Sequence, residues 1–145
     1  MLSLASHARL ELLPDHGAEI DQVRAQLWGL LSTLYSPSGA PERRGESRYP
    51  FPYLFHLHPV GDDGLTPCGP GVVVAGKHIS ARGLDFYHPH RLPYRRMIAS
   101  LESGSGQWFG FLIDVSWCRF TRHGWYESGG RFLQCAPSPL EAANV

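Results

Sequence analysis

The sequence predicts a mainly β fold, a small closed β-barrel with one helical appendage. Three observations predict it. Sixteen glycines and twelve prolines make up nearly a fifth of the 145 residues, a turn-rich usage that suits a compact β protein and not a helical bundle. About six short segments read as strands, several with apolar residues alternating at period two, and glycine, proline and aspartate punctuate them. A single segment carries helical periodicity instead. The length is one domain's worth, and 43% apolar residues exclude a wholly disordered chain.

The helix comes first. Between Ala18 and Tyr35 the apolar residues Ile20, Val23, Leu27, Leu30, Leu31 and Leu34 form a stripe, while Asp21, Arg24 and Gln26 fall off it. Asp15 or Gly17 opens this helix, and the run Ser36 to Pro41 ends it as a linker. The stripe is expected to pack on the rest of the domain, with a helix–helix dimer as the other reading. A dense basic stretch from Glu42 to Arg48 follows. Tyr53 to Val60 then reads as a strand in which His56 and His58 alternate with aromatic or aliphatic residues. The loop from Gly61 to Gly71 leads to a buried strand at Val72, Val73 and Val74. Gly83 to Tyr87 and Tyr94 to Leu101 are two more strands, split by a turn from His88 to Pro93. The longest run, Gln107 to Thr121, places Phe109, Phe111, Ile113, Val115 and Trp117 on one core-facing side. A turn at Arg122, His123 and Gly124 returns the chain through Trp125 to Leu133 as a hairpin. The expected division is a helical extension and linker over 1–41, a barrel over 42–135, and a tail or short helix over 136–145.

Charge and cysteine content narrow the classes of function. Thirteen basic and thirteen acidic residues cancel, so no broad cationic face for a nucleic-acid polymer is advertised. The cancellation is uneven: Lys77 to Arg131 holds eight basic against four acidic residues, and the first forty residues hold two against four. Twelve of the thirteen cations are arginine, whose planar fork grips phosphate and guanine edges in a bidentate way. Cys68, Cys118 and Cys135 are odd in number and widely spaced, which argues against a disulfide framework or zinc ribbon and fits a reducing cytoplasm. No secretory leader or membrane-length apolar run is seen.

Two segments carry the candidate chemistry. Arg44 and Arg48 lie four residues apart in the basic stretch, and His78, Ser80, Arg82 and Gly83 follow thirty residues later at a junction between strands. Two guanidinium forks can clamp phosphates and the O6/N7 edge of guanine, a Ser80 hydroxyl can donate to phosphate, and Gly83 lets a ligand or backbone approach closely. Read by spacing alone, the same residues describe first a solvated loop and a turn capped by Ser80. Histidine pairs at His56/His58 and His88/His90 lack a third ligand nearby, so turn and strand-surface roles are expected for them. Asp114, Ser116 and His123 do not form a hydrolytic arrangement, because Ser116 lies mid-strand with no oxyanion hole beside it. Cys118 is expected to be a small buried hydrophobe.

The order Arg44-x-x-x-Arg48 followed by Ser80-x-x-Gly83 resembles the RxxxR and D/N-x-S-x-x-G motif pair of PilZ domains, over roughly residues 42 to 134. The resemblance implies a six-stranded antiparallel PilZ-like barrel and a non-enzymatic, bacterial receptor or adaptor for cyclic di-GMP. It implies that Arg44 and Arg48 grip guanine and phosphate, and that Ser80 and Gly83 line the nucleotide. It implies no catalytic residue, metal or cofactor. The helix lies outside the resemblance, but the linker Ser36 to Pro41 ties it to the arginine loop, so the signal is expected to pass to a protein partner or through self-association by that helix. His78 departs from the pattern where the family has Asp or Asn. A carboxylate accepts from both N1–H and N2–H of guanine, whereas imidazole offers one acceptor at most, a loss of about 1–3 kcal/mol if the contact is used. Arg82 is placed to compensate with a phosphate contact, and His78→Asp is expected to strengthen binding. The alternative is an interaction module of the same fold that no longer binds nucleotide.

Overall fold

The computed structural model describes residues 21–34 and 48–143. Residues 21–34 form helix α1. Seven strands follow: β1 (Tyr49–Pro50), β2 (Leu54–Pro59), β3 (Val72–Ile79), β4 (Gly83–His88), β5 (Arg96–Glu102), β6 (Trp108–Phe120) and β7 (Tyr126–Cys135). A short helix, α2 (Pro139–Ala143), ends the described chain. Neighbouring strands run in the order β1-β3-β2-β5-β6-β7-β4, and a further β3–β4 pairing joins the ends. Six strands, β2 to β7, therefore close into an antiparallel barrel, as the sequence predicts.

The seventh strand, β1, was not legible. It is two residues long and ends in proline, too short for any period to register. It pairs with the end of β3, Tyr49 opposite Ile79, so β1 and β2 line one edge of β3 as a broken strand. Gly76 makes the break possible, since a Cβ there would stand 2.4 Å from the Phe51 carbonyl oxygen.

Alternation selects the barrel's interior. Phe55 and Leu57 of β2, Leu84 and Phe86 of β4, Leu101 of β5, and Phe111 and Ile113 of β6 are all buried in one cluster with Phe51 and Ile79. The helix stripe belongs to that same cluster: Val23, Leu27, Leu30 and Leu31 are buried, and Leu34 packs beside them. Each such fully buried side chain contributes roughly 1.5–3 kcal/mol of transfer free energy. Two polar contacts set the helix in place. Gln26 Nε2 donates to the Gly110 carbonyl at 2.7 Å, and the Gly104 N–H donates to Thr33 Oγ1 at 3.0 Å. The stripe is thus covered by the barrel, and a helix–helix dimer through it would have to expose core. Ile20 and the linker Ser36 to Pro41 lie outside the described residues.

The C-terminal segment is tied down. Ser138 Oγ donates to Ser100 Oγ at 2.7 Å and caps α2 by accepting the Leu140 N–H at 3.1 Å. Ala136 joins Val60, Ile98 and Leu112 in a second, smaller cluster on the outside of the sheet.

The period-two face of β6 holds only in part. Phe111 and Ile113 are buried, but Trp117 is 42% exposed and Cys118 is exposed. The reason is twofold. The β6–β7 register shifts between Val115 and Trp117, and β5 pairs with β6 only as far as Asp114, so the rest of β6 runs beyond the barrel wall.

Candidate functional site

The site is built where β3 meets β4. In a regular strand Lys77 and His78 would face opposite sides, but the β3–β4 register shifts between Gly76 and His78. As a result both side chains reach the outer surface. Lys77 Nζ donates to Glu127 Oε2 at 2.8 Å, and His78 lies against Asp85, its register partner on β4. Alternation along β4 puts Leu84, Phe86 and His88 in the interior and leaves Asp85 and Tyr87 facing outward.

Asp85 organises the cleft. Its residue is only 8% exposed, yet both carboxylate oxygens are used. Oδ1 accepts the backbone N–H of His78 at 2.8 Å, and Oδ2 accepts Arg48 Nη2 at 2.8 Å. The same Nη2 stands 3.3 Å from His78 Nδ1. The same ring nitrogen lies 3.6 Å from Asp85 Oδ1, so His78 Nδ1 sits between a guanidinium donor and a carboxylate acceptor. The Arg48 side chain remains 60% exposed, with most of its donor fork still open to a ligand.

The turn after β3 carries the remaining sequence candidates. Ser80 N–H donates to the Gly83 carbonyl at 2.8 Å, and Ser80 Oγ accepts the Arg82 N–H at 3.2 Å. Ser80 therefore caps the turn with its hydroxyl at the cleft's edge. Arg82 is exposed, and its carbonyl accepts the Phe132 N–H at 2.8 Å. The close approach at Gly83 is made by backbone: a Cβ there would stand 2.0 Å from the Gly130 carbonyl oxygen.

These residues line one open cleft of about 320 Å³. It brings together Arg48, His78, Ser80, Arg82 and Gly83, from two stretches far apart in sequence. Arg44 lies outside the described residues. Among the lining residues missed from sequence are Asp85, Trp117 and Arg131. Asp85 had a signal, as the outward position in an otherwise inward-reading strand. Trp117 had a misleading one, since period two assigned it to the core. Its indole instead covers Gly129, where a Cβ would stand 2.1 Å from Nε1. Arg131 Nη2 lies 3.6 Å from Asp114 Oδ2, and that side chain is 68% exposed. The cleft can thus offer guanidinium forks, a partly covered carboxylate, a hydroxyl and an exposed aromatic ring to one anionic, planar ligand.

A second cationic cleft of about 360 Å³ lies on Lys77, Tyr87, Arg119, Arg122 and His123 around Glu127. Burial works against ionisation of Glu127, but Lys77 and Arg119 outweigh it and hold the carboxyl below its ordinary range. Of the other histidines, His88 departs from the turn or strand-surface role expected of it. His88 is buried, with Nδ1 2.7 Å from the His90 carbonyl and Nε2 2.7 Å from Ser128 Oγ. His56 packs edge-on to Trp108. Among the described residues, no three of His, Cys, Asp and Glu come together as metal ligands. Asp114 is taken by Arg95 at 2.8 Å, and His123 stacks on Trp125. No helix among the described residues is long and apolar enough to cross a membrane.

Fold and cleft together define a closed antiparallel β-barrel with a cationic groove on its outer face. No protein-family profile matches the chain, and no curated protein matches it. Among solved structures, that of Bacillus subtilis inhibitor of motility (MotI/DgrA) is similar, with a TM-score of 0.44 and 13% sequence identity over 71% of this chain. The match covers 48% of that chain, so this one spans about half its length.

Proposed function

We propose that this protein is a non-enzymatic receptor or adaptor that binds cyclic di-GMP in the β3–β4 cleft and passes the signal to a protein partner by altered contacts. The observation that carries the reading is the convergence of Arg48, His78, Ser80, Arg82 and Gly83 in one cleft. The motif order that resembles PilZ domains supports it from the sequence side. In this reading Arg48 and Arg44 grip phosphate and guanine, Ser80 and Gly83 line the nucleotide, and Arg82 adds a cation. Asp85 supplies the carboxylate that the motif otherwise carries at position 78. His78 presents its imidazole to the guanine edge as a hydrogen-bond partner. Ligand entry exchanges the Arg48–Asp85 contact for ligand contacts, and that exchange is the change a partner would read.

The second reading, a module of this fold without nucleotide, is favoured by one observation: Asp85 already occupies Arg48. Isothermal titration with cyclic di-GMP decides between them. Heat that saturates at one ligand class, and disappears in Arg48→Ala, supports the receptor. No heat at high micromolar nucleotide from a folded protein leaves only the interaction module.

A further inference from the structure

Among the described residues, the far half of β6 has one edge with no strand on it. β5 pairs with β6 only over Trp108–Asp114, and the last bond on that side is Val115 N–H to the Arg95 carbonyl at 2.7 Å. β7 occupies the other edge of β6 as far as Phe120, and β4 in turn occupies β7 over Tyr126–Arg131. Among the described residues, the outer edge of β6 from Ser116 to Phe120 is therefore unpaired, and all five residues are exposed. An open strand edge is a template for another strand, and soluble proteins usually blunt it with proline, charge on the edge, or a cover.

The chemistry around this edge selects its occupant. Trp117 is 42% and Phe120 63% exposed, and they lie on opposite faces of the ribbon, so an added strand would meet an aromatic ring on each side. Arg119 and Arg122 stand along the edge, and Arg95 lies at its start. Between Asp114 and Glu127 there is no acidic residue, and both of those carboxylates already hold arginines. The surface thus combines unpaired backbone, exposed aromatics and an excess of arginine, the residue types that dominate binding energy at interfaces. A second copy of this chain would bring the same excess of arginine to the edge, and that net positive charge works against self-association.

We infer that Ser116–Phe120 is a docking edge that takes an extended acidic segment of a different protein by strand addition. Main-chain bonds to β6 supply affinity, Arg119 selects acidic side chains on the face it shares with Trp117, and Phe120 seats the apolar ones on the other face. Ser116 and Trp117 also line the β3–β4 cleft, so the edge and the cleft share two residues.

The test uses the full chain and synthetic octapeptides that alternate glutamate with valine. Binding is followed by fluorescence anisotropy at low salt, and amide hydrogen exchange is read at residues 116–120. The acidic peptide is expected to slow exchange there, and a lysine–valine peptide is not. Methylating alternate backbone nitrogens removes the donors from one edge of the peptide at a time. One of the two methylated peptides is expected to lose binding while the other keeps it. Arg122→Glu, at an exposed turn position, is expected to weaken the acidic peptide about tenfold. No protection at about 1 mM acidic peptide, the weak end of specific binding, overturns the inference. Equal binding of both methylated peptides overturns it as well, because adhesion would then be electrostatic only. Protection without peptide, with a concentration-dependent dimer in light scattering, overturns the choice of partner and gives the edge to a second copy.

Discussion

Asp85 stands directly opposite His78 across the β3–β4 ladder, and one of its carboxylate oxygens accepts the His78 backbone N–H at 2.8 Å while the other holds Arg48. Backbone geometry and side-chain charge in the cleft therefore depend on one carboxylate. The two partners differ in exposure, and that difference separates their roles in stability. Asp85→Ala removes the acceptor of a partly buried N–H and is expected to cost about 1–2 kcal/mol. Arg48→Ala breaks only an ion pair with a largely exposed arginine and is expected to cost less than about 1 kcal/mol. Urea unfolding of the two variants checks this, and equal losses would show that the N–H contact does not matter.

The same relationship reverses an expectation drawn from the motif. His78→Asp places a second carboxylate beside Asp85, where the His78 ring nitrogen now stands 3.6 Å from Oδ1. The two anions repel each other and compete for Arg48. We expect His78→Asp to weaken cyclic di-GMP binding by roughly tenfold rather than strengthen it. Titration of the variant beside the parent decides the sign.

Gly83 and Gly129 both border the cleft, and they should respond differently to alanine. At Gly83 the obstacle is the Gly130 carbonyl at 2.0 Å, which is backbone in a paired strand and cannot yield cheaply. Gly83→Ala is expected to cost about 3 kcal/mol. At Gly129 the obstacle is the indole of Trp117, an exposed side chain rather than backbone. Gly129→Ala is expected to cost under about 1 kcal/mol while shifting the Trp117 indole N–H resonance. A Gly129→Ala loss as large as that of Gly83→Ala would mean that Trp117 is fixed in place.

Acid should destabilise the barrel in two stages. Burial pushes the His88 imidazole below its ordinary value of 6.5, and burial also lowers His58, with His56 adding to it. The folded state then binds fewer protons than the unfolded chain, so stability is full above pH 6.5 and falls as the pH drops through that range. The Glu127 carboxyl is held below its ordinary 4.5, so its contribution is present above 4.5 and is lost as the pH falls through the folded value. Glu127→Gln should flatten the lower stage and leave the upper one. His88→Phe should reduce the upper stage, with His58 supplying the remainder. Chemical denaturation across pH 3 to 8, a span of about five units that covers both ordinary values, reads both stages. A lower stage unchanged in Glu127→Gln would sink the assignment.

Much of the fold was legible because it rests on local periodicity. The β2, β4, β5, β6 and β7 segments could be read with errors of only a residue or two at their ends, since each alternates or clusters apolar residues between strong turn formers. The stripe Val23, Leu27, Leu30 and Leu31 announced a helix that would bury one face. The grouping of Arg48 with His78, Ser80, Arg82 and Gly83 was also visible, through motif order rather than through any force acting between those residues in sequence.

Local pattern thus told which residues alternate, which face of the helix is apolar, and which polar groups are clustered enough to matter. Tertiary structure decided three things. A register shift at Gly76/His78 turned Lys77 outward beside His78, and another at Val115/Trp117, with the early end of β5, moved Trp117 out of the core. Closure of β3 on β4 set Asp85 under His78 and Arg48, giving the cleft a carboxylate. The physical reason is that side-chain alternation is a property of one strand, whereas bulges, strand ends and cross-strand pairs depend on the neighbour a strand acquires when the barrel closes.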